Sequence, residues 1–68
     1  MKFQYDIESG NLVAVADTGI YMIIENAWCY LERVVLTQDG FKIEKLGAFD
    51  SVPAAIEYAE NGNETFSR

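Results

Sequence analysis

The sequence contains no histidine and a single cysteine, Cys29, among its 68 residues. Without histidine it lacks the usual general base, the commonest zinc ligand and the side chain that titrates near neutral pH. One cysteine forms neither an internal disulfide nor a cysteine-rich metal frame, and we interpret Cys29 as a small buried hydrophobic residue. We therefore expect no catalytic residues, no metal site and no cofactor, and a reducing cytoplasm as the compartment.

Basic residues are also scarce, with five Lys and Arg against eleven Asp and Glu, for a formal net charge of −6 at pH 7. Affinity for duplex nucleic acid comes mostly from Lys and Arg that release counterions, so direct duplex binding is disfavoured. An acidic field favours approach to basic surfaces, although acidity also serves solubility alone. No apolar run approaches the ~18 residues of a membrane span, so we expect no membrane contact.

Half of the residues are hydrophobic, and their spacing predicts an α+β fold. We expect a five-stranded antiparallel meander sheet with one C-terminal α-helix packed on one face, and strands at residues 2–8, 12–16, 20–25, 28–37 and 41–46. Residues 27–36 also fit helical spacing, but the Trp, Cys, Tyr and paired valines favour a strand. Ser51 is the predicted N-cap of the helix and Gly62 its C-cap, giving a domain of residues 1–62 and a flexible polar tail of residues 63–68.

The turns set the predicted register. Two-residue turns at Asn26-Ala27 and Asp39-Gly40 place Ile23 opposite Tyr30 and Leu36 opposite Ile43. One face then carries most of the aromatic side chains: Tyr21, Ile23, Trp28, Tyr30, Val34, Leu36, Phe41 and Ile43. The other is aliphatic: Ile20, Met22, Ile24, Cys29, Leu31, Val35 and Leu46. A short helix covers only one face, and we expect it on the aliphatic one, with the aromatic face left for a partner.

The sequence Asp17-Thr18-Gly19 follows an apolar strand and resembles the active-site loop of retroviral-type aspartic proteases. In that family two such loops bring two carboxylates together, so the resemblance implies a dimer with Asp17 from each copy. The family's usual Ala is Ile20 here, and the chain is short for the family's flaps. Because Asp, Thr and Gly are common in hairpin turns, we interpret the segment as a turn and the protein as not an enzyme.

Two functions fit these features best. The first is a small acidic interaction module that occupies a basic surface of a partner protein. It resembles, in format only, the compact inhibitors of phages and other mobile elements, including anti-CRISPR proteins and nucleic-acid mimics. Its predicted partner-binding residues are Tyr21, Trp28, Tyr30, Phe41, Asp50, Glu57, Glu60 and Glu64. The second is a homodimeric structural or accessory protein, with the surplus apolar face buried against its own copy. A remote alternative is a single-strand nucleic-acid binder whose sheet aromatics stack on bases.

Overall fold

The computed structural model describes residues 2–65, with side chains described as far as Asn61. It contains a five-stranded antiparallel sheet of order β1-β2-β3-β4-β5, with one helix against it, which confirms the α+β prediction. The elements are β1 (Gln4–Asp6), β2 (Asn11–Ala16), β3 (Gly19–Glu25), β4 (Cys29–Thr37), β5 (Gly40–Phe49) and α1 (Val52–Thr65). The segment that also had helical spacing is therefore the strand β4.

Helix α1 begins as predicted. The Ser51 Oγ accepts a hydrogen bond from the backbone N–H of Ala54 at 3.3 Å, as an N-cap side chain does. The predicted C-cap is wrong, because the helix continues through Gly62 to Thr65. Glycine inside a helix costs about 1 kcal/mol relative to alanine but does not by itself end the helix. The last three residues of the predicted tail, 66–68, lie outside the described residues.

The register of β3 against β4 differs from the prediction. Ile24, not Ile23, lies opposite Tyr30, and Glu25 pairs with Cys29 across a loop of three residues, 26–28. The Asn26 N–H donates to the Trp28 carbonyl oxygen at 2.8 Å within this loop. A two-residue type I′ turn needs positive φ at both central positions, which alanine rarely adopts. Asn26-Ala27 therefore does not form such a turn, and Trp28 becomes the third residue of the loop. The slip of one residue turns every side chain of β3 to the opposite face.

The β4–β5 hairpin turns at Gln38-Asp39, because Thr37 pairs with Gly40 and Leu36 with Phe41. The predicted pairing of Leu36 with Ile43 is thus wrong by two residues. A shift of two keeps each side chain on its predicted face. Farther along β5, the register shifts by one residue where Leu46 lies between the paired residues Lys45 and Gly47. This β-bulge places Leu46 against the core.

The core lies between the sheet and α1. Six buried side chains form it: Tyr21, Ile23, Cys29, Leu31, Ala55 and Ala59. The two alanines bring the helix close to the sheet, because they present only a methyl group at the contact. Phe49, at the end of β5, packs on Tyr58 of the helix with ring centroids 5.3 Å apart. Cys29 and Leu31 lie on the helix side as predicted, whereas Tyr21 and Ile23 join them through the register slip.

Two glycines that follow tight turns provide a test of this geometry. Gly19 and Gly40 have φ values of 143° and 137°, which other residues rarely adopt. A Cβ on Gly19 would lie 2.6 Å from the Val34 carbonyl oxygen, whereas a Cβ on Gly40 would meet nothing within 4 Å. We expect Gly40→Ala to lower the free energy of unfolding by about 1–2 kcal/mol. Gly19→Ala should lower it by at least about 1 kcal/mol more, because β4 must shift. Chemical denaturation measures both, and equal losses would contradict the tight β3–β4 contact.

Candidate protein-interaction site

The side of the sheet opposite α1, here called the open face, carries a continuous apolar patch. Val15, Ile20, Val34 and Ile43 lie directly opposite one another across β2, β3, β4 and β5. Leu36 and Phe41 extend this row at the end of the β4–β5 hairpin. We call these six residues the open-face patch. The exposed fractions of the five most accessible are 85% for Leu36, 78% for Val15, 65% for Phe41, 52% for Ile43 and 40% for Ile20.

Charge is nearly absent from the open face. Within the described strands β2 to β5, its charged side chains are those of Glu32 and Lys45, which pair directly across neighbouring strands. Opposite charges in that position attract, and their sum is zero. At the edge of the sheet, β1 adds Asp6, which pairs with Asn11 on the same face. From β2 to β5 the open face is therefore mainly apolar and carries no net charge, in a molecule of net charge −6.

The predicted aromatic contact residues separate into three locations. Tyr30 and Phe41 lie on the open face, as expected. Trp28 is half-exposed in the β3–β4 loop at the end of the sheet. Tyr21 is 2% exposed beneath the helix, so its predicted place on the contact face is wrong. Ile20 lies on that face instead. The length of the β3–β4 loop decides this exchange, and the sequence contains no strong signal for that length.

The predicted acidic residues lie on the opposite side of the molecule. Asp50 is exposed just before α1, and Glu57 and Glu60 are exposed on the helix itself. Glu57 and Glu60 line a shallow depression together with Pro53 and Ile56. The side chain of Glu64 lies outside the described residues. The aromatic and acidic halves of the predicted site are thus on different surfaces and do not form one site.

A polar network lies on the helix side of the sheet, beside the core. The Arg33 Nε donates to Glu44 Oε1 at 2.8 Å, and Nη2 donates to the same oxygen. The Arg33 Nη1 donates to the Tyr21 hydroxyl at 3.4 Å, and that hydroxyl lies 2.7 Å from Thr18 Oγ1. Lys42 Nζ is 3.4 Å from the other Glu44 oxygen. Hydrogen bonds from Arg33 lower the pKa of Glu44, and those to Glu44 and Tyr21 raise the pKa of Arg33. The residues are satisfied by one another, which is typical of a structural network.

The segment that resembles the protease loop lies in a hairpin turn, and the described residues contain no metal-binding cluster. Asp17 and Thr18 form the β2–β3 turn, and Asp17 is exposed there, as the turn interpretation requires. No group of three His, Cys, Asp or Glu among the described residues is arranged to hold a metal ion. Residues 2–65 also include no helix long and apolar enough to cross a membrane. Comparison with protein-family models, curated proteins and solved structures finds no match to this chain.

The Arg33–Glu44 pair makes stability depend on pH. Because its pKa is lower in the folded protein than the ordinary value of 4.5, Glu44 stabilises the fold above that value. This contribution is lost as the pH falls through the lowered pKa. We expect Glu44→Gln to lower the Tm at pH 7, and the gap from the unsubstituted protein to shrink below about pH 4.5.

Thermal unfolding followed by circular dichroism from pH 7 to pH 3 measures this gap. Glu57→Gln is the matched control, since it removes the same charge from an exposed position on the helix. The control should show a smaller loss at pH 7. A gap for Glu44→Gln that stays constant down to pH 3 would contradict the assignment.

Proposed function

We propose that this chain is a small non-enzymatic protein-interaction module that binds a basic surface of a partner protein through the acidic side of α1. The main observation in support of this proposal is the segregation of charge. In the part of the helix with described side chains, Glu57 and Glu60 are exposed and no Lys or Arg is present. On the sheet, Arg33 and Lys42 contact Glu44. The charge that the described part of α1 itself contributes is wholly negative, and it attracts a basic surface.

The depression beside Glu57 and Glu60 suits a Lys or Arg side chain. Its walls include the apolar Pro53 and Ile56, against which the methylene stem of such a side chain would pack. The terminal cation would then lie within reach of the two carboxylates. This combination of an apolar wall and a charged rim favours a cationic side chain over an anionic or purely apolar one.

The acidic residues are also unfavourable for the helix itself. Glu57 and Glu60, three residues apart, repel each other on the same surface. A sequence that keeps such charges despite their cost to local stability is consistent with a binding role for them.

More specifically, we propose that this binding inhibits the partner protein. A module without catalytic groups acts by covering a partner's surface, so a basic surface that normally binds nucleic acid would be blocked. This is the way in which phage-type inhibitors and nucleic-acid mimics act. The buried free thiol of Cys29 suits a reducing cytoplasm as the compartment for this role.

Charge reversal on the helix tests the proposal. We expect Glu57→Lys with Glu60→Lys to weaken binding to immobilised polylysine by about tenfold or more, because two attractive contacts become repulsive. Glu8→Lys with Asp39→Lys is the matched control, since it changes the net charge equally at exposed positions in turns outside α1. Surface plasmon resonance measures both. Equal weakening by the two double variants would show that only net charge matters and would contradict a helix-centred site.

Affinity capture from cells extends the same comparison to natural partners. The unsubstituted chain and the control should retain the same basic proteins, identified by mass spectrometry, and the helix variant should lose them. Retention of those proteins by the helix variant would contradict the proposed mechanism.

A further inference from the structure

We infer that the open-face patch binds a second copy of this chain, giving a symmetric dimer in which two sheets pack face to face. This inference is independent of the proposed function, which concerns the opposite side of the molecule. It rests on the size of the patch, on its neutrality and on the order of its residues across the sheet.

The patch is large enough for a specific dimer. Its five most exposed side chains together amount to about three fully exposed ones, on the order of 600 Å² at the ~200 Å² of a large side chain. That value reaches the upper end of the largest apolar patch on a typical monomer. Two copies would bury on the order of 1,200 Å², the lower end of the range for specific interfaces. We therefore expect a dimer that dissociates in the micromolar range.

Charge favours this surface over the others for self-association. Two copies of net charge −6 repel each other in general. On strands β2 to β5 of the open face Glu32 and Lys45 cancel, so these strands add no net repulsion where the two sheets would meet, and Asp6 lies outside them on β1. The free edge of β5 is a poorer alternative, because Lys42, Lys45 and the β-bulge at Leu46 interrupt it.

The order of the residues makes the patch complementary to itself. From β2 to β5 the row reads Val15, Ile20, Val34, Ile43. A two-fold axis parallel to the strands reverses this order in the second copy. Val15 then faces Ile43 and Ile20 faces Val34, so every contact within this row of four joins a valine to an isoleucine. The layer between the sheets has an even thickness, as close face-to-face packing requires.

Sedimentation velocity on the full chain tests the dimer and its symmetry together. The unsubstituted chain should be dimeric at concentrations on the order of 100 µM. Val15→Glu alone and Ile43→Lys alone should each weaken the dimer by about 100-fold or more, because each buries two unpaired charges. Mixing these two variants should restore a dimer, since one contact then pairs Glu with Lys and the other keeps Ile43 against Val15.

The outcomes are distinct. Both positions are exposed, and circular dichroism checks that each variant stays folded. Ile7→Glu, on an exposed turn outside the patch, is the control for added charge and should remain dimeric. A monomeric unsubstituted chain would overturn the inference and leave the open face to a different protein. The inference would also be overturned if Val15→Glu and Ile43→Lys each remained dimeric alone, or if a mixture of the two variants stayed monomeric.

The effect of ionic strength distinguishes the dimer from the proposed binding to a basic surface. Raising the ionic strength screens the repulsion between copies, so the dimer should tighten, whereas binding to polylysine should weaken. A dimer that loosens with salt would overturn the apolar interface without bearing on the acidic helix.

Discussion

The pairing of β3 with β4 is the contact on which the rest of this structure depends. The three-residue loop at residues 26–28 sets this register, with Glu25 opposite Cys29. It places Tyr21 and Ile23 beneath the helix, where they complete the core with Leu31. With one residue fewer in the loop, both would point to the other face and Ile20 would lie under the helix. The composition of the core and of the open face therefore follows from one turn.

This arrangement divides the molecule into two chemically different sides. The helix side contains the buried core, the Arg33–Glu44 network and the exposed carboxylates of α1. The open side is mainly apolar, with the opposed charges of Glu32 and Lys45 and with Asp6 at the β1 edge. The described residues, 2–65, contain one helix, which cannot cover both faces of the sheet. The uncovered face and the acidic helix thus offer separate surfaces for contacts with other molecules.

Much of this fold was predictable from the sequence. Strict alternation, glycine turns and the Ser51 cap predict all five strands and the start of the helix, because these signals act over a few residues. The predicted register of β4 against β5 was wrong by two residues, so its side chains were still assigned to the correct faces. The predicted register of β3 against β4 was wrong by one residue, so Tyr21 and Ile20 were assigned to the wrong faces. Asn26-Ala27 is a poor type I′ turn, but this local signal is too weak to predict a three-residue loop in place of a two-residue one.

The acidic residues were predictable as exposed, because a helix stripe of alanine and valine leaves Glu57 and Glu60 on the outer side. Their separation from the aromatic residues was implied as well, since the helix was expected on the aliphatic face and the aromatic face was expected to stay open. The prediction nevertheless grouped the acidic and the aromatic residues as one binding site. The fold separates them by the thickness of the sheet and the helix.

The register of β3 against β4 decides the composition of both sheet faces, and interstrand nuclear Overhauser contacts in solution measure it. We expect backbone contacts that join Ile24 to Tyr30 and Ile23 to Leu31. Contacts joining Ile23 to Tyr30 across a two-residue turn would contradict this register, because Tyr21 would then lie on the open face and the open-face patch would lose Ile20.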